Sequence, residues 1–308
     1  MLEISGLSKR FGSREIIRNF DLTVEGGCIY GFLGPNGAGK TTTIRMITGI
    51  LKPTTGRITI DGVDLASDPD RAKRMTGYIP DAPYLYPKLT GWEYIELIAD
   101  LYGMSGFQVP ARDLLDRFDL LSRADDFVES YSYGMRQKLS IVAAVLPDPK
   151  LIVVDEPLIG LDPPAARSVK DLFIELAGKG KAVFMSTHLL DIAEQLCRDV
   201  AIIDRGEIVA QGLLEDLLKH RTGRLEEVFL RMLAERREEG TEERRRWDAL
   251  AGRWLAPLDV RVEVTVKDDE GNVNFSTLDV VYDLPTTEEM LETEIESQMG
   301  FPVTVTCG

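Results

Sequence analysis

The loop "GPNGAGKTT", Gly34 to Thr42, has residue types and a spacing suited to binding phosphate. Its three glycines let the backbone turn N–H groups inward around phosphate oxygens, and the helix predicted to follow adds partial positive charge. Lys40 is placed to reach the β- and γ-phosphates of a nucleotide, and the Thr41 hydroxyl to ligate Mg²⁺. The residues predicted to contact the nucleotide are Gly34, Pro35, Asn36, Gly37, Ala38, Gly39, Lys40, Thr41 and Thr42.

An acidic pair follows a second apolar stretch, "LIVVDEP" at 151–157. Four apolar residues predict a buried parallel strand, and α/β sheets place their ligands at the carboxyl ends of such strands. Asp155 is predicted to hold Mg²⁺ through a water. Glu156, for which the sequence suggests no structural role, is predicted to orient or deprotonate the attacking water.

A third predicted strand, "KAVFMST" at 181–187, ends at His188. One interpretation places His188 beside the N-terminus of the helix predicted over "HLLDIAEQL". The other makes it a γ-phosphate sensor whose imidazole donates a hydrogen bond. We favour the sensor because two other strand ends already point to a nucleotide. The predicted catalytic residues are Lys40, Glu156 and His188.

A second candidate anion loop lies in "YSYGMRQKLS", residues 131–140, at the start of another predicted helix. Ser132 offers a hydroxyl and Gly134 an N–H group that a phosphate can approach closely. The helix expected from Met135 onward adds its dipole. The residues alone leave open whose phosphate this second loop would bind.

The elements that must position these residues belong to an ordinary soluble globular chain. It has 308 residues, 44% hydrophobic and 28% charged, enough for one large domain with an appendage or for two domains. No apolar run approaches the roughly 20 residues of a membrane span, and the first residues do not resemble a signal peptide. Three scattered cysteines, Cys28, Cys197 and Cys307, argue against a disulfide framework and a zinc site. We therefore expect a cytosolic protein.

Charge divides the chain unevenly. The net charge is −15, and residues 259–308 hold twelve acidic and two basic residues. A domain boundary near 240–258 is therefore expected. This balance disfavours a broad nucleic-acid-binding surface, so no nucleic-acid partner is predicted.

The order of predicted elements indicates an α/β fold of the P-loop NTPase type. A strand at 28–33 leads into the phosphate loop and a helix, and helical apolar spacing runs from about 84 to 145. After residue 213, apolar residues again follow helical spacing from Leu225 to Leu233. Alternation at 261–268 and 273–283 around "DEGN" predicts a β-hairpin. A helix capped by Thr286 or Thr287 and a last strand, "FPVTVTC", would complete a small α+β domain.

Taken in this order, the motifs resemble those of ABC transporter ATP-binding subunits over residues 1 to about 235. The resemblance implies an ABC ATPase that uses ATP and Mg²⁺, with a helical subdomain at about 84–145. It makes Phe11 the aromatic residue that stacks on adenine, a role suited to an aromatic face. It places Asp162 in the D-loop "GLDP", Gly160 to Pro163. The implied signature loop consists of Ser132, Tyr133, Gly134 and Met135.

The resemblance also answers whose phosphate the second loop binds. In this family two ATP-binding domains dimerise head to tail, and each signature loop closes on the ATP of the other subunit. A separate transmembrane permease docks on the helical subdomain, which would hold this chain at the inner face of the cell membrane. Aromatic and apolar residues of that subdomain either form the receiving groove or pack its own core: Tyr84, Leu85, Tyr86 and Trp92.

The chain departs from the commonest family pattern in two places, the signature loop and the segment around Asp81. Ser132 to Met135 align with the last four letters of "LSGGQ", the signature that many members carry. Tyr133 and Met135 therefore stand in place of the first glycine and the glutamine. The variant present here resembles that of exporter-type subunits. Asp81, in "GYIPDAPY", stands where the family has glutamine or glutamate touching Mg²⁺. Aspartate keeps an oxygen ligand on a shorter side chain, so its contact with the metal is left open.

The resulting prediction is an ATP-hydrolysing subunit that powers a separate permease, with export favoured. The alternative is a soluble mechanical ABC ATPase acting on a ribosome or DNA complex. A P-loop kinase or GTPase would leave the signature loop, Asp162 and His188 unexplained. Residues 1–235 are predicted to form the ATP-binding domain, 236–258 a charged helical linker, and 259–308 an accessory domain. For the accessory domain, dimerisation, inhibition of the ATPase, docking and simple stabilisation all remain open.

Overall fold

A computed structural model describes residues 1–219, 225–230, 258–267 and 273–282. The chain divides into two compact units, Met1–Leu233 and Ala234–Gly308. The predicted linker at 236–258 lies outside the described residues except for its last position. The predicted helix after Thr286 or Thr287 and the strand "FPVTVTC" lie outside them too.

The first unit contains two sheets and the helices that pack on them. Its strands are β1 (Leu2–Phe11), β2 (Arg14–Val24), β3 (Cys28–Leu33), β4 (Thr55–Ile60), β5 (Val63–Asp64), β6 (Thr76–Ile79), β7 (Leu151–Asp155), β8 (Ala182–Thr187), β9 (Asp199–Asp204) and β10 (Glu207–Leu213). Its helices are α1 (Lys40–Ile47), α2 (Pro69–Arg74), α3 (Gly91–Tyr102), α4 (Gln108–Arg117), α5 (Tyr133–Val145), α6 (Pro163–Gly178), α7 (Leu190–Leu196) and α8 (Leu214–Lys219). Residues 225–230 are helical as well.

The six-stranded sheet brings the predicted site residues to one edge. Its strand order is β10-β9-β3-β8-β7-β6, parallel except for β10. The register pairs Leu33 with Thr187 and Asp155 with Ser186, so β3, β7 and β8 end side by side. These three strands are buried throughout, which explains their apolar sequences. The predicted α/β P-loop fold and its three strands are confirmed.

Two hydrophobic cores hold this sheet. One lies toward the antiparallel sheet β2-β1-β4-β5 and α1, and Phe32 joins Phe20 and Phe184 there at centroid distances of 6.2 and 5.3 Å. The other contains residues of α3 to α7 and of the helical residues 225–230. With cores on both faces, the sheet leaves its strand ends available for polar groups.

The predicted helical segment from 84 to 145 folds as α3, α4 and α5 with two 3-10 turns, Leu121–Arg123 and Val128–Ser130. Helix α3 begins with a capping box, in which the Thr90 hydroxyl accepts from the Glu93 N–H and the Glu93 carboxylate accepts from the Thr90 N–H. It ends at Gly103, where φ is 65°. Farther along, Leu225, Val228 and Phe229 are buried, whereas the predicted apolar residues Met232 and Leu233 fall outside the described ranges.

The described residues of the second unit form a β-hairpin. Strands β11 (Leu258–Lys267) and β12 (Val273–Tyr282) pair antiparallel in unbroken register, from Leu258 opposite Tyr282 to Lys267 opposite Val273. The predicted hairpin is confirmed, with β11 starting three residues earlier than the alternation suggested. The turn "DEGN" itself lies outside the described residues.

Candidate nucleotide-binding site

The phosphate loop packs tightly between β3 and α1. Gly37 and Gly39 have φ values of 78° and 113°, which favour glycine. A Cβ at Gly39 would lie 2.5 Å from a methyl carbon of Ile17, and one at Gly34 would lie 2.4 Å from the carbonyl oxygen of Ile203. These contacts leave room only for glycine. The phosphate loop therefore packs closely against Ile17 and Ile203.

Lys40 is turned into this loop. Its side chain is 7% exposed, and its Nζ donates to the carbonyl oxygens of Gly34 at 2.7 Å and Pro35 at 3.3 Å. Burial lowers the pKa of Lys40, and the nearby carboxylates of Glu156 and Asp155 oppose that shift. The ammonium is therefore held at the centre of the loop by neutral acceptors that phosphate oxygens could replace.

Asp155 ends β7 and is 1% exposed. Its Oδ1 accepts the Ser186 hydroxyl, whereas its buried Oδ2 has no hydrogen-bond partner within the described part of the chain. Burial raises the pKa of Asp155, and the nearby hydroxyls of Ser186 and Thr41 oppose the rise. A buried carboxylate oxygen with no protein partner, beside the Thr41 hydroxyl, provides the hard oxygen ligands that Mg²⁺ prefers. The residues present therefore fit a magnesium ion.

Glu156 and His188 touch each other across the ends of β7 and β8. The Glu156 Oε1 accepts the backbone N–H of His188 at 3.0 Å and lies 2.8 Å from its Nδ1, while Oε2 accepts the Thr187 hydroxyl at 3.1 Å. Glu156 has a φ of 46°, in the left-handed region. The sequence suggested no structural role for Glu156, and that expectation is wrong: its carboxylate links the two strand ends.

His188 lies beside the start of a helix, as one interpretation predicted, and its role as a γ-phosphate sensor stays a prediction. Helix α7 begins two residues later, and the Thr187 hydroxyl accepts the N–H of Leu189 at 3.0 Å. The His188 side chain is 45% exposed, compared with 12% for Glu156. The histidine therefore lies beside a helix start and also presents its ring at the open side of the acidic pair.

The signature loop is built into the first turn of α5, which begins at Tyr133, two residues before Met135. Ser132 is the N-cap residue, and its Oγ accepts the N–H of Met135 at 3.2 Å. Ser132 and Tyr133 are exposed, and Gly134 is half-buried. Lys40 and Asp155, in contrast, are buried.

The D-loop aspartate caps a helix. Oδ1 of Asp162 accepts the N–H of Ala165 at 2.8 Å, and Pro163 and Pro164 form the first positions of α6. Gly160, two residues earlier, has a φ of 75°. The loop between Glu156 and α6 is thus fixed at its far end by Asp162.

Phe11 and Asp81 are the two remaining predicted site residues. Phe11 ends β1 with its side chain exposed, and the Nζ of Lys9 lies 4.9 Å from the centroid of its ring. Asp81 follows β6 and is also exposed, with its Oδ1 accepting the N–H of Ala82 at 2.9 Å. Its charge nevertheless reaches Asp155, whose pKa it raises. Asp81 therefore faces the acidic pair without contacting it directly.

Three polar residues were missed by the sequence reasoning. Ser186 and Thr187, at the end of β8, use their hydroxyls to hold Asp155 and Glu156. Gln137 is fully buried on α5, and its Nε2 donates to the carbonyl oxygen of Pro80 at 3.3 Å. The two hydroxyl residues at the end of the otherwise apolar β8 could have indicated polar contacts at this strand end. No feature of the sequence around Gln137 indicates its burial or its bond to Pro80.

A cavity of about 430 Å³ lies beside the edge strand β6, with residues of α2, α3 and α5 in its lining. Four tyrosines share its lining: Tyr78, Tyr84, Tyr94 and Tyr102. Burial raises the pKa of Tyr78 to about 12. Of the residues predicted for a receiving groove or a core, only Tyr84 lines this cavity. Tyr86 is exposed with its ring 6.4 Å from Tyr94, while Leu85 and Trp92 pack against the core.

Comparisons with known proteins identify similar sequences. A family model described as "ABC transporter" matches residues 17–159. YdbJ, an uncharacterized ABC transporter ATP-binding protein of Bacillus subtilis (strain 168), is 42% identical over 216 residues, which cover 70% of each chain. Nod factor export ATP-binding protein I of Ralstonia nicotianae (strain ATCC BAA-1114 / GMI1000) is 34% identical over 225 residues, covering 72% of this chain and 70% of that protein.

Solved structures agree with these sequences. The solved structure of an ATP-binding subunit of an ABC transporter aligns with a TM-score of 0.73 and 35% identity, and the alignment covers 75% of this chain and 99% of that one. The ATP-binding cassette MJ0796, in a dimeric post-hydrolysis state bound to ADP and Pi, aligns with a TM-score of 0.64 and 26% identity. This alignment covers 70% of this chain and 99% of the MJ0796 chain.

Proposed function

This chain belongs to the ABC transporter ATP-binding proteins. We infer from this membership that it is an ATP-binding and ATP-hydrolysing subunit of such a transporter. The observation that carries the inference is the arrangement at the carboxyl edge of the parallel sheet. The buried Lys40, the acidic pair Asp155–Glu156 and His188 all lie there around the ends of β3, β7 and β8.

For hydrolysis we propose distinct roles for these side chains. Lys40 and the inward N–H groups of the phosphate loop bind the β- and γ-phosphates. Glu156 orients or deprotonates the attacking water, and His188 donates to the γ-phosphate. The unpartnered oxygen of Asp155 and the hydroxyl of Thr41 would hold Mg²⁺, which when bound neutralises charge on the β- and γ-phosphates. The exposed ring of Phe11 stacks on the adenine.

We propose that a second copy of the chain completes the site. Ser132 and Gly134 stand at an outward-facing helix N-terminus, where a phosphate of the partner's ATP can bind. The dimeric structure of the similar cassette MJ0796 supports this arrangement. Two ATP molecules would hold the head-to-tail dimer closed, and hydrolysis would release it.

We further propose that a separate permease is the membrane partner and that transport is outward. The name of the Nod factor export relative supports the direction. Every helix in the described ranges is too short or too polar to cross a bilayer. The tyrosine-lined cavity beside α3 and α5 supplies a concave surface for the permease, which would hold this chain at the inner membrane face. The relatives give no support to the soluble mechanical alternative.

The domain assignment remains a proposal as well. We assign residues 1–235 to the ATP-binding domain, with its helical subdomain at about 84–145, and residues 259–308 to an accessory domain after a linker. The described hairpin of β11 and β12 is compatible with an accessory α+β domain.

The full-length Glu156→Gln variant tests the proposed function. Glutamine keeps one oxygen that can accept the His188 N–H but cannot take a proton, so we expect turnover to fall by roughly 10²-fold or more while ATP binding persists. With ATP and Mg²⁺, size-exclusion chromatography should then show a trapped dimer. Undiminished phosphate release, or a monomer at saturating ATP, would overturn the proposal.

Glu96→Gln serves as the matched control. Glu96 is an exposed glutamate on α3 whose carboxylate accepts the Trp92 indole N–H at 2.7 Å, a bond that glutamine can also make. This variant should hydrolyse ATP like the parent and should not accumulate as an ATP-bound dimer.

A further inference from the structure

Two of the three positions that depart from the commonest family pattern, Tyr133 and Asp81, contact each other. Tyr133, in the first turn of α5, donates its hydroxyl to the backbone carbonyl oxygen of Asp81 at 2.7 Å. The two residues are 52 positions apart in the chain. A side chain of the signature loop is therefore bonded to the segment that follows β6 in the same chain.

A second bond strengthens this connection. Gln137 lies one turn after Tyr133 on the same side of α5, and its Nε2 donates to the carbonyl oxygen of Pro80 at 3.3 Å. Consecutive carbonyls of the Pro80–Asp81 segment are thus held by side chains one helical turn apart. Strand β6 lies parallel to β7, with Ile79 paired to Val154, so this segment runs beside Asp155.

The ring of Tyr133 also rests on the D-loop. A Cβ at Gly160 would lie 2.5 Å from the Cε1 of Tyr133, and Gly160 has a φ of 75°. Only glycine leaves the ring this position. Gly160 in turn lies four residues after Glu156. The Tyr133 side chain therefore connects the first turn of α5 with the Asp81 segment and with the loop that starts at the acidic pair.

We propose that Tyr133 is a positioning residue that couples the chain's own ATP site to the signature loop it presents to the partner. The proposal rests on the composite dimer proposed above. Asp81 and Gly160 both adjoin the acidic pair of the same chain, so a shift at either displaces the Tyr133 side chain. Because Tyr133 begins α5, that displacement changes how Ser132 and Gly134 face the other ATP.

Mixed dimers of full-length chains test this coupling. One chain carries Glu156→Gln, so the only hydrolysing site combines the acidic pair of the unmodified chain with the signature loop of the other. Tyr133→Phe, which keeps the ring on Gly160 and removes only the hydroxyl, is placed on either chain. We expect each placement to slow phosphate release about fivefold, the size of one net hydrogen bond. The melting temperature of the full-length variant should stay within about 2 °C of the parent.

Tyr131→Phe provides a matched control two residues away. The Tyr131 hydroxyl donates to the carbonyl oxygen of Arg123, also at 2.7 Å, but inside the helical segment. This variant loses the same kind of bond and should leave phosphate release unchanged in both placements.

Any result other than a slowing in both placements overturns the proposed coupling. A slowing confined to the chain that supplies the signature loop would make Tyr133 a contact of the partner's nucleotide alone, and a slowing confined to the other chain would make it local to its own site. Either result, or no slowing at all, overturns the coupling while leaving the composite dimer intact. If the parent mixed dimer fails to form with ATP, the composite site fails first, and the coupling fails with it.

Discussion

The phosphate loop and the signature loop are both suited to an anion, but the fold treats them differently. Lys40 and Asp155 are almost fully buried, and neighbouring strands and loops fix them inside one chain. Ser132 and Tyr133 are exposed, and the hydroxyl of Ser132 caps its own helix. The first region lies inside one chain, whereas Ser132 and Tyr133 lie at its surface. This difference supports the proposal that one chain binds ATP and that hydrolysis requires a second chain.

Lys40→Met should separate the two regions most sharply. Methionine fills a similar volume but removes the cation that faces the phosphates. We expect ATP hydrolysis to fall by roughly 10²-fold or more, as when one preorganised phosphate or oxyanion contact is lost. Binding of a fluorescent ATP analogue to the isolated chain should weaken as well, because this region acts within one subunit.

The control for that change is Lys52→Met, at an exposed lysine outside the loop. It should bind and hydrolyse ATP like the parent. Parent-like ATP binding by the Lys40→Met chain would contradict a phosphate loop that is complete in one subunit.

Gly134→Asp should have the next largest effect, and only after dimerisation. A Cβ at Gly134 has its nearest neighbour, the Gly160 carbonyl oxygen, at 3.3 Å, and a carboxylate in the first turn of a helix does not oppose its dipole. Facing a partner's phosphate, the same carboxylate is repelled. We expect ATP binding to the isolated chain to persist while phosphate release at high protein concentration falls at least about tenfold.

Gly134→Ala separates size from charge in that experiment. Alanine adds the same Cβ without the carboxylate, so it should retain most of the activity. If alanine and aspartate reduced phosphate release equally, crowding against Gly160 would be the cause, and the anion-binding role of this loop would be wrong.

Sequence reasoning was strongest where chemistry follows one short segment. The strand, glycine loop and helix around Lys40 were predictable because apolar spacing and glycine positions are local, and parallel strands bring their carboxyl ends to one edge. The bond between Glu156 and His188 was not, although both residues were identified, because it depends on the side chains of two strand ends meeting. The contact of Tyr133 with Asp81 joins positions 52 apart, and no local pattern indicates it.

Asp155→Asn tests the energetic cost of the buried region. Burial raises the pKa of Asp155 above its unfolded value of about 4, so the folded chain holds that proton more tightly. The resulting stability is complete below the unfolded pKa and is lost as pH rises through the folded pKa. At neutral pH the neutral asparagine should therefore raise the melting temperature of the nucleotide-free chain, by about 2–4 °C if the gain is near 1 kcal/mol.

Thermal melts across pH check the sign of this effect. The advantage of asparagine should shrink as pH falls and the parent carboxylate takes up its proton. In exchange, the variant should gain less stability than the parent from added ATP and Mg²⁺. An asparagine chain that melts below the parent at neutral pH would show that the Asp155 carboxylate is well compensated, contrary to its unpartnered oxygen in the described part of the fold.

Asp81→Asn should have the smallest effect, although it lies between the two regions. Its tie to Tyr133 runs through the backbone carbonyl, which asparagine keeps, and an amide oxygen can still accept from the Ala82 N–H. The charge that is lost acts on Asp155 only at a distance. We expect phosphate release to stay within about threefold of the parent, because an exposed charge is largely screened by solvent. A loss as large as that of Lys40→Met would instead make Asp81 a direct magnesium ligand. The magnesium site would then include the segment after β6, and the Tyr133 hydroxyl would join that site directly to the signature loop.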